Sequence, residues 1–526
     1  MSGLVLLVAS WLIFPGQSRA DWAVLTIRSI NDVMGHARYF ARLVDREDLL
    51  QQFEQIVRPS LERGIDLKRP VGLAIRQFAP DNPPVVLFVP VTGDKEFVEF
   101  LNGFGLEAAA EKEGIRQVIL PGGNKAYLRF AHNYAFVAMQ PSALADGLMN
   151  PMTDLPAEHL QNLFLAQVRL DQIPSATRQF LFGQVEREIS KNAAKQRGES
   201  EAQFLGRQTA VKVIRAVVRS LLLETQTVSL RINVDEARHQ LTADLKVVPV
   251  AGTVMSKQLA AVAQAQSLFT GIVKESAAHM SICLPLAYEL RRMLDEVLDS
   301  SFQEEVNKLD SIVKKAVAEK VYRTLEPTLK QDALDFAVQL AGPHDNRYAL
   351  VAAVRLRDGK RVESLLRDLV REMPERDRQK IALYHQQLGT VAVHRVELPP
   401  MDEEGTRVFG ASVAYVAFLD NALLVGLGRD GASAIKSALI QLGSTPLPSP
   451  VVQVHAAVRR LGPLAREDAE RLAAAMNRAF SQRGDDHVRL EVRGGPALQV
   501  RLEFGSKLVK LAFLLSPLGD NSPPVR

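Results

Sequence analysis

FAHNYAFVAM, residues 130–139, and FLDNALLVGL, residues 418–427, decide how this chain is to be read. In both, a Phe (Phe130, Phe418) stands three residues before an Asn (Asn133, Asn421) and seven before a Val (Val137, Val425). Each stretch reads as a polar turn entering a buried strand.

Other segments repeat in the same order around this landmark. Residues 85–101 match 350–366 at a constant offset: a strand, a polar turn with a Lys, then a helix carrying Phe97 and Leu101 or Val362 and Leu366. Residues 164–169 answer 454–459, and a closing hairpin at 228–250 answers 488–504, where Gly494, Gly495 and Pro496 supply the turn. The exits agree too, with Gly252, Ser256 and Lys257 set against Gly505, Ser506 and Lys507. This order implies a tandem duplication, with one copy at 21–266, a second at 267–518 and a tail at 519–526.

Each copy mixes hairpins with long helices. Pro121, Gly122 and Gly123 form a hairpin signal, and Pro80, Asp81, Asn82 and Pro83 a turn signal. Thr92 and Asp94 are placed to cap a helix at 95–103. Residues 204–223 are amphipathic, and the charged, helical segment 286–338 supplies the helical layer of the second copy. The expected fold class is α+β: two tandem related modules, mainly antiparallel sheets backed on one face by long helices, in preference to a doubly wound parallel sheet.

With 526 residues, of which 47% are hydrophobic, the chain can bury more than one core. Its formal charge of +4 is the small difference between 64 basic and 60 acidic residues, which does not indicate nucleic acid. An apolar run at 4–14, then Pro15, Gly16 and the small residues Ser18 and Ala20, reads as an export signal cleaved before Asp21. The mature chain is then periplasmic or secreted. No Lys or Arg precedes the run, so a retained segment is the other reading. The run is about eleven residues long, where a span needs roughly twenty, and 508–515 is also too short. No transmembrane span is expected in the mature chain. The single Cys283 reads as a buried small hydrophobe, leaving stability to packing.

The motifs with chemical content are few. Gly426, Gly428 and Gly431 form a GxGxxG between a strand and a helix, as a dinucleotide site requires, but the first copy has Ala138, Gln140 and Ala143 there and no acidic partner follows. Ser433 with Lys436, and Ser311 with Lys314, have the SxxK spacing of serine acyltransferases without SDN or KTG. Gly410, Ser412 and Ala414 have the spacing of a nucleophile elbow but lie in a strand-like stretch. His394 and His455 fall in strands, where a hydrogen-bonded structural role is expected. Asp485, Asp486 and His487, and an acidic loop of Asp402, Glu403 and Glu404 beside Gly405, offer metal-type oxygens without a regular ligand pattern. Lys212, Arg215 and Arg219 make a basic helix face, read as the solvated side of a core helix, with peripheral contact to anionic lipid as the alternative. The sequence therefore assigns no catalytic, cofactor-binding or metal-ligating residue, and no cofactor.

The pattern resembles exported bacterial proteins of planctomycete type built from duplicated α+β modules. The runs VVLFVPV and YLRFAHNYAFVAM within 71–139 carry the resemblance. That group has no established activity, so it implies compartment and fold only. The expected function is a non-enzymatic extracytoplasmic binding or scaffold protein, holding an apolar, lipid-like ligand or a protein partner between its two halves. The alternative is an envelope hydrolase whose site is assembled from distant residues.

Overall fold

The computed structural model describes residues 21–76, 84–110, 114–145, 147–191, 198–272, 276–442, 446–464, 469–480 and 486–516. The expected export segment, the tail at 519–526 and the turn at 80–83 lie outside the described residues. Contacts divide the chain into two units. The first holds the described residues of 1–185, 219–253 and 501–526, and the second those of 186–218 and 254–500.

The first part of the chain runs β1 Ala23–Ile27, α1 Ile30–Leu43, β2 Val71–Ile75, β3 Val85–Pro90, α2 Asp94–Gly103, β4 Ala108–Ala110, β5 Ile115–Ile119, β6 Lys125–Ala131, β7 Tyr134–Ala138 and β8 Phe164–Arg169. Then follow α3 Ser175–Lys191, α4 Glu201–Leu223, β9 Thr225–Asp235, β10 Gln240–Pro249 and α5 Val254–Val262. In the first unit the strands pair in the order β10-β9-β8-β1-β2-β3-β7-β6-β5-β4, antiparallel throughout.

The second part runs β11 Ser276–Pro285, α6 Tyr288–Lys308, α7 Ile312–Leu329, β12 Ala333–His344, β13 Arg347–Arg355, α8 Gly359–Glu372, β14 Ile381–Leu388 and β15 Val391–Glu397. It continues with α9 Glu403–Phe409, β16 Val413–Phe418, β17 Ala422–Leu427, α10 Gly431–Gln441, β18 Val452–Ala457, α11 Val458–Leu461, α12 Ala469–Ala479, β19 His487–Arg493, β20 Leu498–Gly505 and α13 Lys507–Leu515. In the second unit the order is β19-β18-β11-β12-β13-β17-β16-β15-β14, again antiparallel. Numbered from the start of each unit, the nine strands β1–β9 and β11–β19 fall in the same spatial order. Register agrees at the landmark: Val86 faces Ala138 where Val351 faces Gly426, and Tyr127 faces Ala138 where Tyr415 faces Gly426.

The landmark strand β7 is apolar at every position because it has a core on each side. Tyr134, Phe136 and Ala138 join Phe88, Val86 and Leu144 on one face, while Ala135 joins Phe97, Leu128 and Ile65 on the other. His132 and Asn133, both at positive φ, make the two-residue turn that Asn tolerates well. In the second unit Ala422 and Leu424 of β17 pack with Ile435 and Ala438 of α10 and with Leu268, Phe269 and Ile272. The buried Asp335 holds that last segment down, accepting from Ser267 Oγ at 2.6 Å and Leu268 N at 3.1 Å.

Three expectations need correction. The segment 286–338 is helical only to Leu329, and β12 begins at Ala333 because Leu334, Phe336, Val338 and Leu340 alternate with period two. Thr92 does not cap α2; its Oγ1 donates to Arg63 O at 2.9 Å, and Gly93 holds the cap position. Nor do the long helices α3 and α4 back the sheets: no described residue of α4 is buried, and α3 buries only Thr177. Covering falls to α2 through Phe97, α8 through Val362, Leu365 and Val370, and α10 through Ile435 and Ala438. These helices carry an apolar stripe narrow enough to seat on a sheet.

The glycines of the second landmark serve this packing. A Cβ on Gly426 would come within 2.4 Å of Gly431 O, so the start of α10 lies against the backbone of β17. Gly428 has φ +94, and a Cβ there would stand 2.9 Å from Phe409 O. In the first unit the same turn opens a short 3-10 helix, Pro141–Leu144, and Ala138 fits. Gly426→Ala is expected to lower the stability of the protein by about 1–3 kcal/mol, read as a shift of the urea midpoint. Millimolar dinucleotide is expected to leave the parent's midpoint unmoved, whereas protection by it would restore the nucleotide reading.

Candidate functional site

Most residues singled out in the sequence are occupied structurally. Ser311 caps α7, accepting from Val313 N at 3.2 Å, and Lys314 pairs with Asp310 at 2.9 Å. Ser433 and Lys436 are both exposed on α10. Ser412 Oγ accepts from Met401 N at 2.8 Å. The acidic run is not a loop between strands: Asp402 caps α9, accepting from Gly405 N at 2.8 Å, and Glu404 binds Arg407 at 2.5 Å. Acidic residues in a first turn complement the positive end of the helix dipole. Asp486 is buried and accepts from Arg459 N at 2.8 Å, His487 opens β19, and Asp485 lies outside the described residues. Arg215 pairs with Glu186 at 3.2 Å. The helix α4 that carries it is not a core helix, for Ile214 and Val217 are each 51% exposed.

Burial raises the Cys283 thiol to about 11, and the nearby Asp335 carboxylate adds to the effect, so the sulfur stays protonated. His394 is fully buried; its Nδ1 accepts from Tyr384 N at 3.3 Å and its Nε2 faces Glu363 at 3.3 Å. His455 lies directly across from His279, with ring centroids 5.1 Å apart and planes 20° from parallel. Burial lowers the basicity of both, that of His279 to about 4, and the charges of His455 and Arg489 push it the same way.

A hydrolase needs an accessible hydroxyl or thiol in reach of a base. Ser276 Oγ is 3.3 Å from His279 Nδ1, yet both residues are buried. In the first unit Ser506 Oγ and His239 Nδ1 both bind Tyr39 OH, at 2.5 and 2.8 Å, and Ser506 is fully buried. That cluster clasps the start of α13 against α1, aided by Lys510 and Asp45 at 2.8 Å. Neither arrangement presents a nucleophile to a substrate.

No family model, curated protein or solved structure matches the chain. The site therefore rests on geometry. Among the described residues no helix is long and apolar enough to cross a membrane, and no group of three His, Cys, Asp or Glu could hold a metal ion.

The second unit contains a cleft of about 1040 Å³. One wall is the turn Asp345–Asn346, both at positive φ, with Arg347 opening β13. A second is Met401 with Glu403, Thr406 and Arg407 of α9. The third combines Arg459 and Pro463 with Met476 and Asn477 of α12. Its walls are tied together. Arg407 donates to Pro463 O at 2.6 Å, and Tyr348 OH donates to Arg460 O. Gly462 lies close against Met476, since a Cβ there would stand 2.9 Å from Met476 Sδ. Gly410, at φ +72, leaves the space into which the stem of Arg347 runs. Arg347, Arg459, Asp345 and Glu403 have no side-chain hydrogen bond or ion pair among the described residues.

The sequence singles out Glu403 and Gly410 for other roles and gives no sign of the rest. The Asp-Asn turn is the available signal, but nothing along the chain links 345 to 403, 459 and 476.

Two outcomes are expected. His279 takes up its proton near pH 6.5 in the unfolded chain but only near 4 in the folded one, so stability falls as pH drops through that window and levels off below it. The loss from this group is about 3 kcal/mol at most, and urea midpoints of the parent measured at several pH values should fall more than those of His279→Gln. Asp402→Ala should cost about 1 kcal/mol by the same measurement, and added calcium should not change that difference.

Proposed function

We propose that the protein is a non-enzymatic extracytoplasmic binding protein whose ligand sits in the cleft of its second unit. One observation carries this reading: Arg347 and Arg459 bring guanidinium groups without a partner among the described residues to a cleft whose walls are tied together, and no Ser, Cys or His is among its described lining residues. Concave sites with a few fixed polar groups among apolar ones are the usual form of a small-ligand site. Guanidinium groups without a carboxylate partner are matched to an oxyanion of the ligand.

The extracytoplasmic setting is supported by the apolar run at 4–14 and the small residues before Asp21. Descent of both units from one duplicated module is supported by their common strand order and by the shared register at Ala138 and Gly426. A binding role asks only that the second unit keep a shaped cleft. The first unit then serves as a related body that need not carry a site of its own.

The test is native mass spectrometry of the full chain, isolated from a cell envelope, beside Arg347→Ala/Arg459→Ala. The parent should carry a co-purifying ligand, and the double variant should lose it, each arginine contributing about 10–100-fold in affinity. An unchanged thermal midpoint shows that the variant is folded. Equal retention of ligand by both proteins overturns the assignment of the cleft. N-terminal sequencing of the same material should begin at Asp21, and a chain that begins at Met1 overturns export by cleavage.

A further inference from the structure

We infer that this cleft takes a zwitterionic amphiphile: a head group bearing one phosphate or carboxylate and one ammonium, joined to an apolar chain. This deepens the binding reading and rests on it.

The charge balance of the lining carries the argument. Arg407 is accounted for by Glu404 and by the carbonyls of Pro463 and Leu464. Two guanidiniums then remain, Arg347 and Arg459, and two carboxylates, Asp345 and Glu403, all without partners among the described residues. A simple anion would satisfy the arginines and leave both carboxylates repelling it. A simple cation would do the reverse. A head group with both charges leaves neither pair unmatched, and opposed like charges are an effective way to reject the wrong ligand.

Positioning strengthens the case. The two positive φ values at Asp345 and Asn346 fix the turn that presents Asp345 and Arg347. Gly410 leaves open the path of the Arg347 side chain. The buried Asp486 carboxylate fixes the backbone N–H of Arg459, from which its side chain departs. These contacts set the backbone from which the charged side chains reach the cleft.

The apolar part of the ligand follows from the rest of the lining. Met401, Pro463 and Met476 contribute hydrocarbon and thioether to the lining. Methionine adapts to irregular and flexible apolar partners. The cleft, at about 1040 Å³, is also far larger than a bare head group requires.

Isothermal titration of the full chain tests this with three probes. They are a short-chain lysophosphatidylethanolamine below its micelle concentration, a phosphoglycerol-headed analogue of the same chain length, and free O-phosphoethanolamine. The zwitterionic amphiphile should bind at least about 10-fold more tightly than either other probe, a difference of one charge contact or a few buried methylenes. Arg347→Ala/Arg459→Ala should weaken it by at least about 10-fold. Asp345→Asn/Glu403→Gln should remove the preference over the phosphoglycerol head while keeping the midpoint of thermal unfolding.

Equal or better binding of the phosphoglycerol probe by the parent overturns the zwitterion assignment. Equal binding of free O-phosphoethanolamine overturns the amphiphile. If no probe binds but envelope material is still lost from the arginine variant, the cleft stands and the ligand class falls. Release of a peptide from the cleft likewise overturns the ligand class. If the arginine variant keeps its envelope material, the cleft reading itself fails.

Discussion

A strand with an apolar core on each side, β7, sits within the first sheet, and the rest of that unit is arranged to satisfy it. Strand β7 can carry Tyr134, Ala135, Phe136 and Ala138, all buried, only if its backbone is paired on both edges and both faces are covered. Strands β3 and β6 supply the pairing. Phe97 of α2 covers one face, and Leu144 with Leu155 covers the other. Strand β17 is likewise paired on both edges, by β13 and β16, and buries one face through Ala422 and Leu424, which Ile435 of α10 covers.

The two units meet that demand with different local means. In the first, Ala138 leads into a short 3-10 helix whose Ala143 and Leu144, with Leu155, cover that face. In the second, Gly426 and Gly431 lack side chains, which lets a full helix close on the strand at backbone distance. A glycine pattern that looks like nucleotide chemistry is here the signature of close packing. The buried polar residues have comparable duties. Asp335 fastens a chain segment over the core, Ser506 with Tyr39 clasps a helix, and Asp486 ends a strand turn on the N–H of Arg459. Each is bonded as a buried polar group must be. Such residues are spent on structure, whereas Arg347, Arg459, Asp345 and Glu403 at the cleft have no side-chain partner among the described residues.

Much of the fold could be read along the chain because burial imposes period. Alternation and turn chemistry located the hairpins at 115–130 and 228–250, whereas the order of the strands in each sheet was not legible in the sequence. Helix boundaries were less legible. A charged apolar stretch near Ala333 satisfies helix and strand patterns alike, and the neighbouring strands β11 and β13 decide it. Length also misled. The long helix α4 has many apolar residues yet buries none among those described, whereas the shorter α8 seats on its sheet through Val362 and Leu365.

The sequence by itself determined the class of fold, the antiparallel hairpins and the apolar landmark strands, since these follow from side-chain period and from turn residues that tolerate positive φ. Tertiary structure alone decided the site. Asp345, Glu403, Arg459 and Met476 belong to a turn and three separate helical segments, and only the packing of those elements against one sheet end brings them to one cleft. Which polar residues are spent on caps and clasps, and which remain free to meet a ligand, depends on neighbours far away in the chain. Local pattern fixes what a residue can do, and long-range packing fixes what it has left to do.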